Sequence, residues 1–192
     1  MEPWAWVVMV LFVLIAIVGG FAVIGRNRRT AQLKDRFGTE YERVADDIGD
    51  RRSAETALAE RVQRRRSIEL RVLTRAEADR FASSWEGVQV RFVDDPRHAV
   101  GEADYLVEAV MRERGYPMDD FEHRSADISV DHADVVDNYR AAHHIFQTSE
   151  HGDTTTEELR QAMVHYRALF ERLLETGGLE GPREDPTTPE EA

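Results

Sequence analysis

The chain has 192 residues, a net charge of −12 and no cysteine. Without thiols there is no disulfide framework, no thiolate metal site and no lipidated cysteine, so packing alone must hold the fold. Charge is uneven: residues 26–75 hold 14 Lys+Arg against 9 Asp+Glu (+5), residues 76–192 hold 11 against 27 (−16), and Glu2 adds −1. So acidic a distal part repels a phosphate backbone, and nucleic acid is not an expected partner.

Trp4 to Gly25 carries no charge over 22 residues, a length of about 33 Å as a helix, enough to cross a hydrocarbon core. The expectation is a single transmembrane helix, 4–25, in contact with the lipid bilayer. Trp4 and Trp6 suit the headgroup level at one end, and Arg26, Arg28 and Arg29 follow at the other. Positive charge stays inside, which puts the N-terminus outside and the rest of the chain at the cytoplasmic face of the cell membrane. A cleaved signal peptide, releasing a secreted helical domain, is the alternative. It calls for a positive n-region and a shorter apolar stretch, whereas the chain begins Met-Glu-Pro. Ala16 and Gly20 form a small-xxx-small pair through which a second copy's helix could approach, giving a homo-oligomer. Residues 26–38 form a basic juxtamembrane segment in which Arg26, Arg28, Arg29, Lys34 and Arg36 meet the membrane surface.

The expected fold class is all-α, with residues 39–177 forming one helical bundle of about five to six helices. A first helix covers Thr39 to Ile48 and stops at Gly49; a second covers Ser53 to Arg66, with Ala54, Leu58 and Val62 on one face. Ile68, Leu70 and Val72 alternate with polar residues at the strand period, but a lone strand has no partner, so this stretch reads as an extended connector. Thr74 and Glu77 form a capping box for a third helix with Phe81, Trp85, Val88 and Phe92 in a stripe. Asp95-Pro96 ends it and opens a fourth, lined by Val100, Ala103, Val107, Val110 and Met111 and closed by Gly115. From Asp119 to Thr148 a stripe of Phe121, Ser125, Ile128, His132, Val135, Tyr139, Ala142 and Phe146 fits one long helix or two. The last helix starts at the capping box Thr155-x-x-Glu158 and buries Leu159, Met163, Tyr166, Phe170 and Leu173. Residues 178–192 are proline-rich, acidic and poor in apolar residues, as in a disordered tail.

The stretches RFGTEYERV, DRRSAETALAERV, WEGVQVRFVDDPRHAVGEADYLVEAVMRERGYP, DISVDHADVVDNYRAAHHI and TTEELRQAMVHYRALFERLL resemble a family of uncharacterised actinobacterial proteins described as membrane-anchored or secreted. The resemblance implies a bacterial origin and a helical fold, and transfers no site.

The residues richest in chemistry lie between Asp127 and His144. Asp131, His132 and His143 are the candidate metal ligands. On one continuous helix, however, His132, Tyr139 and His143 share a face, while Asp127, Asp131, Asp134 and Asn138 fall on another. No paired Glu-x-x-His motif supplies a facing helix with ligands. Asp127, Asp131 and Asp134 therefore read as a solvated acidic face, and His132 and His165 as imidazoles beside apolar stripes. No nucleophile elbow, phosphate loop or nucleotide fingerprint occurs, and no cofactor is implied. The function that fits is a membrane-tethered, non-enzymatic interaction module offering Asp127, Asp131 and Asp134 to a protein partner. A metal-dependent or hydrolytic enzyme built on Asp127 to His144 is the runner-up.

Overall fold

The computed structural model describes Met9, Phe12, Gly25, residues 27–152 and residues 154–175. The expected membrane helix thus lies outside the described residues except for Met9, Phe12 and Gly25, which are helical, and the expected tail lies wholly outside them. Among the described residues no helix is long and apolar enough to cross a membrane.

The described chain is all helix and turn. Helix α1 is seen over 27–37. It is followed by α2 (Thr39–Ile48), α3 (Arg51–Arg66), α4 (Arg75–Asp94), α5 (Pro96–Glu113), α6 (Phe121–Asp131), α7 (Val136–Glu150) and α8 (Thr156–Glu175). Seven helices from Thr39 onward exceed the expected five to six. The extra one comes from the 119–148 region, which is two helices, α6 and α7. The chain also divides into two compact units, Met1–Glu60 and Arg61–Ala192, where one core was expected from residue 39.

In the first unit, Leu33 and Phe37 of α1 are buried, as are Tyr41 and Val44 of α2 and Leu58 of α3. The Thr30 and Tyr41 hydroxyls both donate to Glu55, at 2.7 and 3.1 Å. The Lys34 ammonium lies 4.9 Å from the Tyr41 ring centroid and pairs with Glu42. Residues assigned from sequence to a basic membrane-facing segment therefore also supply core to α2. Arg43 grips the fully buried Glu40 through two hydrogen bonds of 2.8 Å, the paired geometry that an interior carboxylate needs.

The second unit is built around α5, with α4 and α8 packed on it and α7 packed on α8. Local chemistry sets the boundaries. Thr74 N–H and hydroxyl meet Glu77, whose own N–H donates back to Thr74 Oγ1. With Arg71 also donating to it, the Glu77 carboxyl is held down at about 2. Asp95 caps α5 ahead of Pro96, Asp120 caps α6, and Thr155 and Glu158 complete the second box. The connector 67–74 forms no strand; Arg71 ties it across to the end of α5, its N–H donating to the Arg114 carbonyl and its guanidinium to Glu113, and it buries Leu73 while Val72 stays exposed. Opposite it, Gly115 turns the chain at φ +87°, and a Cβ there would sit 2.9 Å from the Glu69 carbonyl oxygen. Both facts demand glycine. The α5 and α8 stripes are buried in full, and Trp85 of α4 stacks on Phe170 of α8 at 4.8 Å between ring centroids.

Between α6 and α7 the chain turns over residues 132–135. The His132 carbonyl accepts from both Val135 and Val136, at 3.1 Å each, in place of a continuing helical ladder. The stripe survives the break: Ser125, Ile128, His132, Val135, Tyr139 and Ala142 are all buried.

Candidate functional site

Of the acidic face expected at Asp127, Asp131 and Asp134, the last two are exposed, while Asp127 is not, and arginines reach all three. Asp127 is only 1% exposed. Its carboxylate meets Arg64 Nε at 3.1 Å, and Arg64 also holds Asp119 at 2.6 Å. Burial pushes the Asp127 carboxyl up, and Arg64 pulls part of that back. Asp131 pairs with Arg65, and Asp134 with Arg172 at 2.7 Å. Each carboxylate is thus paired with a guanidinium, and Asp131 and Asp134 stay exposed, Asp134 by about half of its side chain. The physical reason is that the last turn of α3, in the unit that begins at Arg61, supplies Arg64 and Arg65, and α8 supplies Arg172.

The metal candidates do not assemble. His132 closes α6, is 5% exposed, and its Nε2 is buried with no hydrogen-bond partner. Burial first, then the nearby Arg114 charge, depresses its pKa, with Asp131 and Asp134 opposing and Arg172 assisting. Asp131 is committed to Arg65, and His143 lies on the next helix. Among the described residues no group of three His, Asp or Glu side chains is placed to hold an ion. His165 does have the single partner expected of it, Asn138 Oδ1 at 3.0 Å.

His143 belongs to a different set. Its ring stacks on Phe121, 3.8 Å between centroids and 8° from parallel. Its Nδ1 faces Asp104 Oδ1 at 3.6 Å, and that same oxygen accepts from the Tyr166 hydroxyl at 2.7 Å. Close by, Arg124 donates to Glu108 at 2.7 Å and lies beside Tyr139. Burial raises the Tyr139 phenol to about 12 against the pull of Arg124, and drives Tyr166 far above its ordinary value with Asp104 adding to it. Two separate polar pairs, Tyr166–Asp104 and Arg124–Glu108, thus lie near His143, whose Nδ1 has no hydrogen-bond partner, as the Tyr139 hydroxyl has none. His143 also lines a cavity of about 470 Å3 together with Phe121, Arg140, His144 and Gln147. Asp104 stands 3.6 Å from the His143 ring, outside hydrogen-bond distance, and would have to close on it before the imidazole could act as an oriented base toward water. The lining offers no hydroxyl or thiol nucleophile.

Sequence reasoning passed over Asp104, Glu108 and Arg124. For Asp104 a signal was present: it sits at the fourth position after Val100 and the third before Val107, inside the buried stripe of α5, where a carboxylate requires a partner.

A second depression, about 200 Å3, lies between α4 and α8, with Trp85, Phe92, Met163 and Val164 as its apolar surface and Arg160 and Arg167 at its edge. No family model matches the chain, and no curated protein or solved structure is significantly similar to it.

Proposed function

We propose that the chain is a membrane-tethered, non-enzymatic interaction module held at the cytoplasmic face, with the second unit as its docking body. The observation that carries the tether is the charge step at Gly25: 22 uncharged residues give way directly to Arg26, Arg28 and Arg29. In support of a docking role, Val164 of α8 is exposed in the lining of the depression floored by Trp85 and Met163, and Val90 and Val93 of α4 are exposed large apolar side chains as well. This surface replaces the three aspartates as the place where a partner would sit, since their charge is already spent on Arg64, Arg65 and Arg172. A reporter active only in the cytoplasm, fused after Ala192, should work in cells, and the protein should resist extraction from membranes by alkaline carbonate. A soluble protein, or a reporter active only outside, would refute the tether.

The Asp104–His143 pair favours a second reading, a hydrolase that activates water at the Phe121–His143 cavity. Purified chain would then hydrolyse nitrophenyl ester or phosphodiester probes, and both His143→Gln and Asp104→Asn would abolish turnover while preserving the helical circular dichroism. Equal rates in wild type and His143→Gln would remove this reading.

A further inference from the structure

The first unit contains a cavity of about 390 Å3 lined by Gly25, Arg29, Arg52, Glu55 and Thr56. Arg29 comes from α1 and Arg52 from α3, 23 positions later. Neither is closed by a carboxylate within salt-bridge distance among the described residues, whereas Arg43, Arg64, Arg124 and Arg172 are; the nearest acid before α3, Asp50, feels the Arg52 charge only as a weak attraction. Glu55, the one acid in the lining, has its Oε1 committed to the Thr30 and Tyr41 hydroxyls. Asp50, which precedes α3, is occupied by the Ser53 N–H and hydroxyl at 2.8 and 2.7 Å. The cavity therefore keeps an excess of one positive charge, presented by two planar donor groups that suit paired hydrogen bonds to a tetrahedral oxyanion. A Cβ added at Gly25 would meet nothing within 4 Å, so that side is open.

Position decides which oxyanion. Gly25 is the last residue of the uncharged run, so on the tether reading this cavity lies at the depth of the headgroups. We propose that the cavity is a binding site for the phosphate of an anionic phospholipid, held between Arg29 and Arg52. The inference rests on the membrane tether. It differs from diffuse attraction to a basic segment in naming α3, which sequence alone placed in the bundle, as half of the site. A specific phosphate would also fix the rotation of α1 relative to the bilayer surface, because the two arginines that grip it belong to separate helices of one unit.

The test uses the full chain in nanodiscs of phosphatidylcholine with a minor fraction of phosphatidylglycerol, followed by release into neutral detergent and native mass spectrometry. One phosphatidylglycerol should remain on the wild type. The double variant Arg29→Gln/Arg52→Gln should lose it by about thirtyfold, as two arginine contacts imply. A charge-matched control, Arg28→Gln/Arg66→Gln, should keep it. If the control loses lipid as severely, or neither protein prefers phosphatidylglycerol, the site is overturned while insertion into the nanodisc leaves the tether standing. If the chain does not insert at all, both readings fail. If inorganic phosphate binds in an Arg52-dependent way but no lipid is retained, the source is free phosphate and the lipid assignment is wrong.

Discussion

The two sides of the second unit reach burial by different routes. On the α5–α8 side, apolar stripes meet, Trp85 stacks on Phe170, and the buried Asp104 accepts a short hydrogen bond from Tyr166. At the α6–α7 corner the buried set includes Ser125, Asp127, Ser129 and His132, and polar atoms of Asp127 and His132 lack hydrogen-bond partners. One side draws its stability from area removed from water. The other depends on a few charges finding each other, so its stability should respond to pH and to single charge changes.

The largest effect should come from the apolar side. Phe170→Ala removes the stacking partner of Trp85 and leaves a cavity, at a cost of about 3–5 kcal/mol, measured by urea unfolding of the full chain in neutral detergent. A loss below about 1 kcal/mol would mean that the α4–α8 contact is not structural. Next comes the corner. Asp127→Lys buries a cation against Arg64 and should cost about 3 kcal/mol, because it breaks a buried pair and leaves like charges facing. A neutral result would show that Asp127 faces solvent after all.

His132 gives a smaller effect with a definite sign. Burial holds its folded pKa below the ordinary 6.5, so the unfolded chain binds more protons and stability falls as pH drops from 6.5 toward the folded value. Asp127, with its carboxyl raised, acts in the opposite direction and lower, in the carboxylate range. His132→Gln should therefore flatten the stability profile between neutral pH and about 5 and change little at pH 7.5. An unchanged slope would place the titrating group elsewhere. The smallest effect belongs to Asp134→Lys: its pair with Arg172 is exposed, and its unfolding midpoint should match the wild type. The contrast between the same substitution at 127 and at 134 separates a buried charge from a surface one within a single helical corner.

The parts legible in the sequence are those that local chemistry decides. Gly49 ends α2, the two Thr-x-x-Glu boxes start α4 and α8, and Asp95-Pro96 divides α4 from α5, because each signal acts within one turn of chain. The break between α6 and α7 left no such mark, since residues 132–135 contain neither glycine nor proline. The stripe through it specified what is buried, and said nothing of continuity. The status of Asp127 was out of reach for a further reason: its partner Arg64 is 63 positions away, and a helical wheel contains only its own helix. Lys34 was read as part of the basic membrane-facing set, yet tertiary contacts to Tyr41 and Glu42 give it a second role.

The stacking of Trp85 has an optical consequence. It is the sole tryptophan among the described residues, is almost fully buried, and its indole nitrogen has no hydrogen-bond partner. An indole in such a setting emits at short wavelength and is poorly reached by a dissolved quencher. In a Trp4→Phe/Trp6→Phe background this one chromophore, lying in the floor of the α4–α8 depression, would shift its emission as soon as another molecule displaced water there, giving a label-free signal for whatever the protein receives.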